Sequence, residues 1–170
     1  MSASEAIRNS RNFTLSEFSN CPDIERIDPR LIRALDRLRD QLGEPIHAGR
    51  KPDAFARLTG RPTSRHYAVG RLSDAGDVFP DKGYSMRAWI LAQALQEPDG
   101  RPSFGGIGLY FDTRRGPLQP GPMLHLDMRP GPRVLWARDS GRYWTASQQP
   151  RKFWQVVVDA IEEEHAVSSG

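Results

Sequence analysis

Two short stretches concentrate the residue types that bind metal. Residues 64–77, SRHYAVGRLSDAGD, hold His66 with Asp74 and Asp77 downstream; residues 123–127, MLHLD, hold His125 with Asp127. Neutral imidazole and carboxylate both suit zinc, and three protein ligands leave a fourth position for water. Water bound there is acidified toward neutrality while the metal polarises a carbonyl, so the chemistry such a set supports is amide hydrolysis. The donors on offer are His66, either Asp74 or Asp77, and His125. Of the other histidines, His47 follows an apolar strand residue and reads as structural, and His165 lies in an acidic tail.

Strand alternation sharpens the second stretch. Alternate side chains of a strand share a face. If residues 123–128 are extended, Met123, His125 and Asp127 point one way, and Leu124, Leu126 and Met128 point the other way into a core. A His and an Asp side by side on rigid backbone are where a metal ligand belongs.

The elements that must carry these residues are visible in outline. Asp28 followed by Pro29 starts a helix. Leu31, Leu35, Leu38 and Leu42 recur at helical spacing, Arg33, Asp36, Arg37 and Asp40 lie off that stripe, and Gly43 closes the helix. Ahead of it, NFTLSEF reads as an arm docking through Phe13, Leu15 and Phe18. Residues 45–48 form a short strand leading to Gly49 and Arg50. Residues 75–79 form a buried strand stopped by Pro80, and GGIGLYF, residues 105–111, a strand whose glycines allow close backbone approach. Residues 133–137 form another, with a tight turn over 129–132 between it and strand 123–128. Tyr143 and Trp144 extend the sheet. The expectation is one α+β domain over residues 12–164. Its sheet is small and mainly antiparallel with the metal on one face. Helices 30–42, 85–97 and 150–164 pack around it, and loops 51–65 and 112–122 rim a cleft. Residues 1–11 and 165–170 are expected to be flexible.

Composition bounds the rest. The chain has 170 residues, 38% apolar and 26% charged, which fits one folded domain. Its 15 glycines and 14 prolines imply a loop-rich middle that displays functional groups. The net charge of +3 and pI near 9.3 are spread along the chain, and without a Lys/Arg block no specific nucleic-acid partner is expected. A basic face suits a polyanionic surface such as a bacterial cell wall. Cys21 is the one cysteine, so no internal disulfide forms. No apolar run is long enough to span a membrane, and MSASEAIRNSRNF lacks the apolar core of a signal peptide. The expectation is a monomer synthesised in the cytoplasm that acts after release or delivery.

Taken in order, these pieces resemble the zinc peptidases of the M15 type, the D-Ala-D-Ala carboxypeptidase and peptidoglycan endopeptidase group that shares its fold with the hedgehog signalling domain. The likeness covers most of residues 12–137. NFTLSEF and IDPRLIRALDRLRDQLG are similar to the family's arm and first helix. SRH with Gly70 and AGDVF resembles its Ser-x-His, Gly, Ala-x-Asp motif, and GGIGLY followed by HLD its last two metal-site strands. The resemblance implies zinc held by His66, an aspartate and His125, with peptidoglycan peptides as substrate. It implies that Arg50, in HAGR, contacts substrate or the tetrahedral intermediate, and that Ser64 supports the site. The family shows Ser-Gly-x-Arg at the arginine, a partial match.

The chain departs from the pattern in two places. Gly-x-x-x-Asp points to Asp74, whereas Ala-x-Asp followed by an apolar strand points to Asp77. Asp77 is preferred because a ligand opening a buried strand is rigid. Several branches of the family place a catalytic Glu or Asp three residues before the second His, and Pro122 stands at that position here. Asp127 is the substitute expected to move protons, and Asp112 a weaker one; orienting His125 or a neighbouring Arg is the competing role for Asp127. Tyr67 and Tyr110 are placed on the cleft wall. The expected function is a zinc-dependent peptidase of cell-wall peptides, in a phage-type lytic setting. The alternative is a non-catalytic zinc-containing module of the same fold.

Overall fold

The computed structural model describes residues 1–81, 85–113 and 122–168. The leucine stripe forms helix α2 (Pro29–Leu42). Asp28 caps it by accepting the Arg30 N–H at 2.8 Å, and Gly43 ends it in the left-handed region, φ 72°, donating to the Arg39 carbonyl. Leu31, Leu35, Leu38 and Leu42 are buried, each contributing about 1.5–3 kcal/mol through the apolar surface it removes from water. The arm docks as expected. Phe13 and Phe18 are buried edge to face, with ring centroids 5.7 Å apart, and Phe18 meets Phe55 at 4.9 Å.

Residues 1–11, expected to be loose, instead begin with helix α1 (Ala3–Arg8), closed by a capping box between Ser2 and Glu5. The polar residues that suggested a solvated tail are the cap. Ala3, Ala6 and Ile7 form a buried face against α2. Six residues are too few to hold a helix in water, so packing keeps it.

The sheet has six strands: β1 (Ile46–Ala48), β2 (Ala75–Pro80), β3 (Gly106–Tyr110), β4 (Met123–Asp127), β5 (Val134–Asp139) and β6 (Arg142–Thr145). Their order is β1-β2-β4-β3-β5-β6. The sheet is mixed: β3 and β5 run parallel, and the other four pairings are antiparallel. A mainly antiparallel sheet with β4 and β5 as neighbours was expected, but β3 lies between them. The turn after β4 therefore passes over the start of β3. Gly105 permits that crossing, since a Cβ there would collide with the Arg129 carbonyl oxygen.

Helix α3 (Ser85–Ala94) lies against β2, β3 and β4, and helix α4 (Pro150–Ser168) against β5 and β6. With α1, the α-helices among the described residues number four where three were expected. Ala88, Trp89, Phe153 and Val157 join Leu124, Leu126, Ile107 and Leu109 in the core. Helix α4 runs to Ser168, past residue 164 where a flexible tail was expected to follow. Most of loop 112–122 and the last two residues lie outside the described residues.

Candidate metal centre

The register of the sheet builds the centre. Asp77 on β2 is opposite His125 on β4, His125 is opposite Gly108 on β3, and Gly108 is opposite Trp136 on β5. Residues directly opposite one another share a face, so Asp77 and His125 stand side by side on the face away from the leucine core. Asp77 is fixed through its main chain as well. Its N–H donates to the Ala54 carbonyl at 2.8 Å, and its carbonyl accepts the Gly49 N–H at 2.9 Å.

His66 arrives from the loop before β2. Its carbonyl accepts the Arg57 N–H at 2.9 Å, and the Arg57 carbonyl accepts the Ala68 N–H at 2.9 Å. The Ser64 carbonyl accepts the Tyr67 N–H at 3.1 Å, closing the turn that presents the imidazole. His66 and His125 are each 7% exposed, with ring centroids 4.9 Å apart.

Three donor atoms converge. Nδ1 of His125 is 2.9 Å from Asp77 Oδ1 and 3.1 Å from His66 Nε2, and His66 Nε2 is 3.4 Å from Asp77 Oδ1. Zinc bonds of about 2.0–2.1 Å at tetrahedral angles set donor atoms about 3.3 Å apart, so this triangle is of the right size. The group can hold a metal ion. Its electrostatics favour positive charge among the donors. Burial disfavours charge on His125, but hydrogen bonds to Asp127 and Asp77 outweigh it and push its pKa up to about 9. Burial likewise opposes ionisation of Asp77. The charge of His66 and the hydrogen bonds from both histidines prevail, holding its carboxyl far below the usual range. A cation held by the three donors would take the place of that histidine proton.

The choice between the two aspartates falls on Asp77. Asp74 is ion-paired with Arg65 and is no member of the triangle. The choice depends on strand parity, because only Asp77 shares a face with its partner His125.

Asp127, expected to move protons, is placed otherwise. It is fully buried, and both its oxygens are engaged. Oδ1 accepts the Arg129 main-chain N–H and Nε at 3.0 and 2.8 Å. Oδ2 accepts Arg129 Nη2 at 2.5 Å and His125 Nε2 at 3.1 Å. Burial opposes its charge, but Arg129 and His125 overcome this and keep it ionised. Closed off from solvent, this carboxylate has both oxygens occupied by donors from Arg129 and His125. It holds the far nitrogen of His125 so that Nδ1 faces the centre, the usual arrangement behind a metal-bound histidine. His66 Nδ1 is buried and has no such partner among the described residues.

The remaining candidates divide. Arg50 is exposed and lines a cavity of about 80 Å3 together with Asp77, Phe79 and Met123. Tyr110 lies on the same face, 6.3 Å from His125 between ring centroids, and accepts the Trp136 Nε1–H at 3.3 Å. Burial pushes its phenol pKa well up, so the hydroxyl stays protonated. Asp112 is held at the far end of β5 and β6 by the Gly141 N–H at 2.7 Å and by Arg138. His47 pairs with Asp81 at 2.7 Å, away from the centre.

Trp136 was missed by sequence reasoning. Its indole lies over Gly108, where a Cβ would come within 2.4 Å of the ring, and reaches His125 at 5.2 Å. The signal was present in GGIGLY, whose second and third glycines share the parity of Tyr110. Gly106 leaves room for the Asp127 carboxylate in the same way.

No family model, curated protein or solved structure matches the chain. No helix among the described residues is long and apolar enough to cross a membrane.

Proposed function

We propose that the domain is a zinc-dependent peptidase of the M15 type that hydrolyses amide bonds in bacterial cell-wall peptides. The observation that carries this reading is the convergence of His66 Nε2, Asp77 Oδ1 and His125 Nδ1 at 2.9–3.4 Å. The order of the family-like pieces along the chain supports it. Zinc is the metal chosen because two imidazoles and one carboxylate form a set it accepts with one position open. When bound it supplies polarisation of a carbonyl and acidification of water.

The chain's own residues do the rest. Asp127 fixes the tautomer and angle of His125. Trp136 packs against the His125 ring and would shield that side of the imidazole from bulk water. The Arg50 guanidinium lines the cavity beside Asp77 and meets the charge that develops on a carbonyl oxygen. Tyr110 brings a protonated hydroxyl to the same face and donates a hydrogen bond to that oxygen.

Stripping the protein with a chelator, adding zinc back and digesting purified peptidoglycan tests the reading. New amino groups should appear only with metal and should vanish in His125→Ala. A protein that purifies without metal and releases no amino groups from any wall preparation sinks the proposal. One observation favours a second reading, a non-catalytic zinc module. Asp127 is sealed and Pro122 stands at the family's acid position, so no free carboxylate besides Asp77 adjoins the centre among the described residues. Stoichiometric zinc without hydrolysis selects that reading.

A further inference from the structure

A cleft with charged walls lies apart from the metal centre. A cavity of about 790 Å3 opens at the end of the sheet, between the N-terminal turn of α2, the loop before β2, the α3–β3 loop and the turn after β4. Its volume is that of a small-molecule site. Arg30, Arg33, Arg65, Arg101 and Arg129 line it, arriving from four separate segments.

The carboxylates near these arginines do not cancel them toward the opening. Asp28 and Asp127, the partners of Arg30 and Arg129, are recessed: their side chains are 8% and 0% exposed, while the guanidinium-bearing chains are 62% and 31% exposed. Each pair therefore shows its cationic end to the cleft. Asp74, Glu97 and Asp99 also line it, and each is already bonded to an arginine, Arg65, Arg37 and Arg101. Arg33 has no carboxylate within ion-pair distance among the described residues, and its contact is the Met1 sulfur at 3.3 Å. The Arg65 Nε–H is buried without an acceptor. Planar guanidinium forks on several walls of one cleft match the oxygens of phosphate and carboxylate groups.

We propose that this cleft binds a ligand carrying two or more phosphate or carboxylate groups, at a site separate from the His66–Asp77–His125 centre. The site does not depend on peptidase activity. It gives the diffuse positive charge of the chain a defined place to act.

The test is calorimetric titration of pyrophosphate and of citrate at low ionic strength. The protein is used both zinc-loaded and stripped with uncharged 1,10-phenanthroline, because charged chelators would compete. The same saturable site is expected in both forms, with coordination of the anion by zinc adding a second event in the loaded form alone. Arg33→Ala combined with Arg101→Ala should raise Kd at least tenfold with an unchanged melting temperature, since both side chains are exposed. Each single variant should give part of the effect. Arg142→Ala, on β6, should change Kd less than twofold. Long-chain polyphosphate separates the two sources of such groups. A polymer site binds it tighter per phosphate than pyrophosphate, and loses that gain in the double variant. A site for a free small anion shows no gain, and either outcome supports the proposal. Absence of saturable binding, binding confined to the zinc-loaded form, or an equal loss in Arg142→Ala overturns it.

Discussion

Replacing Asp127 with asparagine separates its two candidate roles. The side chain is fully buried, and among the described residues its oxygens bond only to His125 and Arg129. Asparagine keeps the shape and one acceptor, but loses the charge that orients the His125 Nε2–H. Loss of such a partner behind a metal-ligating histidine costs about 10–100-fold in metal affinity, or about 1.4–2.7 kcal/mol. The fold loses a charged hydrogen-bond pair as well. Breaking a fully buried pair costs about 3–5 kcal/mol, but the Arg129 side chain is 31% exposed and can turn to water, and asparagine leaves no bare charge. A loss of about 1–3 kcal/mol is expected. Zinc affinity is read by competition with a chromophoric chelator, and stability by urea unfolding of metal-free protein. Zinc Kd within twofold of wild type would refute the orienting role. Unchanged Kd with hydrolysis abolished would restore Asp127 as the proton-moving group.

Three further outcomes follow from the same geometry. Asp77→Ala should abolish the rise in melting temperature that zinc gives the wild type, whereas Asp74→Ala should leave zinc affinity unchanged; equal losses in both would undo the choice of ligand. Gly108→Ala places a methyl within about 2.4 Å of the Trp136 ring and should destabilise by about 1–3 kcal/mol, as overpacking does; urea melts and indole fluorescence report it, and an unchanged melt refutes the close approach. Asp28→Ala removes the α2 cap, an expected loss of about 0.5–2 kcal/mol at neutral pH. Burial opposes the Asp28 charge, yet Arg30 holds its pKa below the ordinary value, so the stabilisation is present above about pH 4 and fades as pH falls through the folded value. Melts of both proteins from pH 7 to pH 3 should converge, and a constant gap would refute the assignment.

What the sequence revealed and what it hid have physical causes. Helix α2 was legible because its cap, stripe and left-handed glycine are all local. The pairing of His125 and Asp127 on one face was legible because alternation is a property of one strand. The choice between Asp74 and Asp77 was settled by which residue stands opposite His125, a fact about two strands 48 residues apart. The insertion of β3 between β4 and β5 was hidden for the same reason, since the glycines and prolines of 129–132 suit a hairpin turn and a crossing equally well. Helix α1 was missed because Ser2 and Glu5 read as solvated polarity until they close a cap.

The union of β2 with β4 also fixes when the centre can exist. His66 and Asp77 lie 59 and 48 residues ahead of His125, so a chain emerging from the ribosome completes α2 long before it possesses a third donor. The unfolded chain offers only scattered single ligands, with little hold on a cation. A divalent ion bound by the three donors would therefore favour the folded chain by mass action, adding about 2.7 kcal/mol of stability at a hundredfold excess over Kd. For this domain, an ion held by the three donors would be bound only once β2 and β4 have paired, and its supply would add to the stability of a chain already folded.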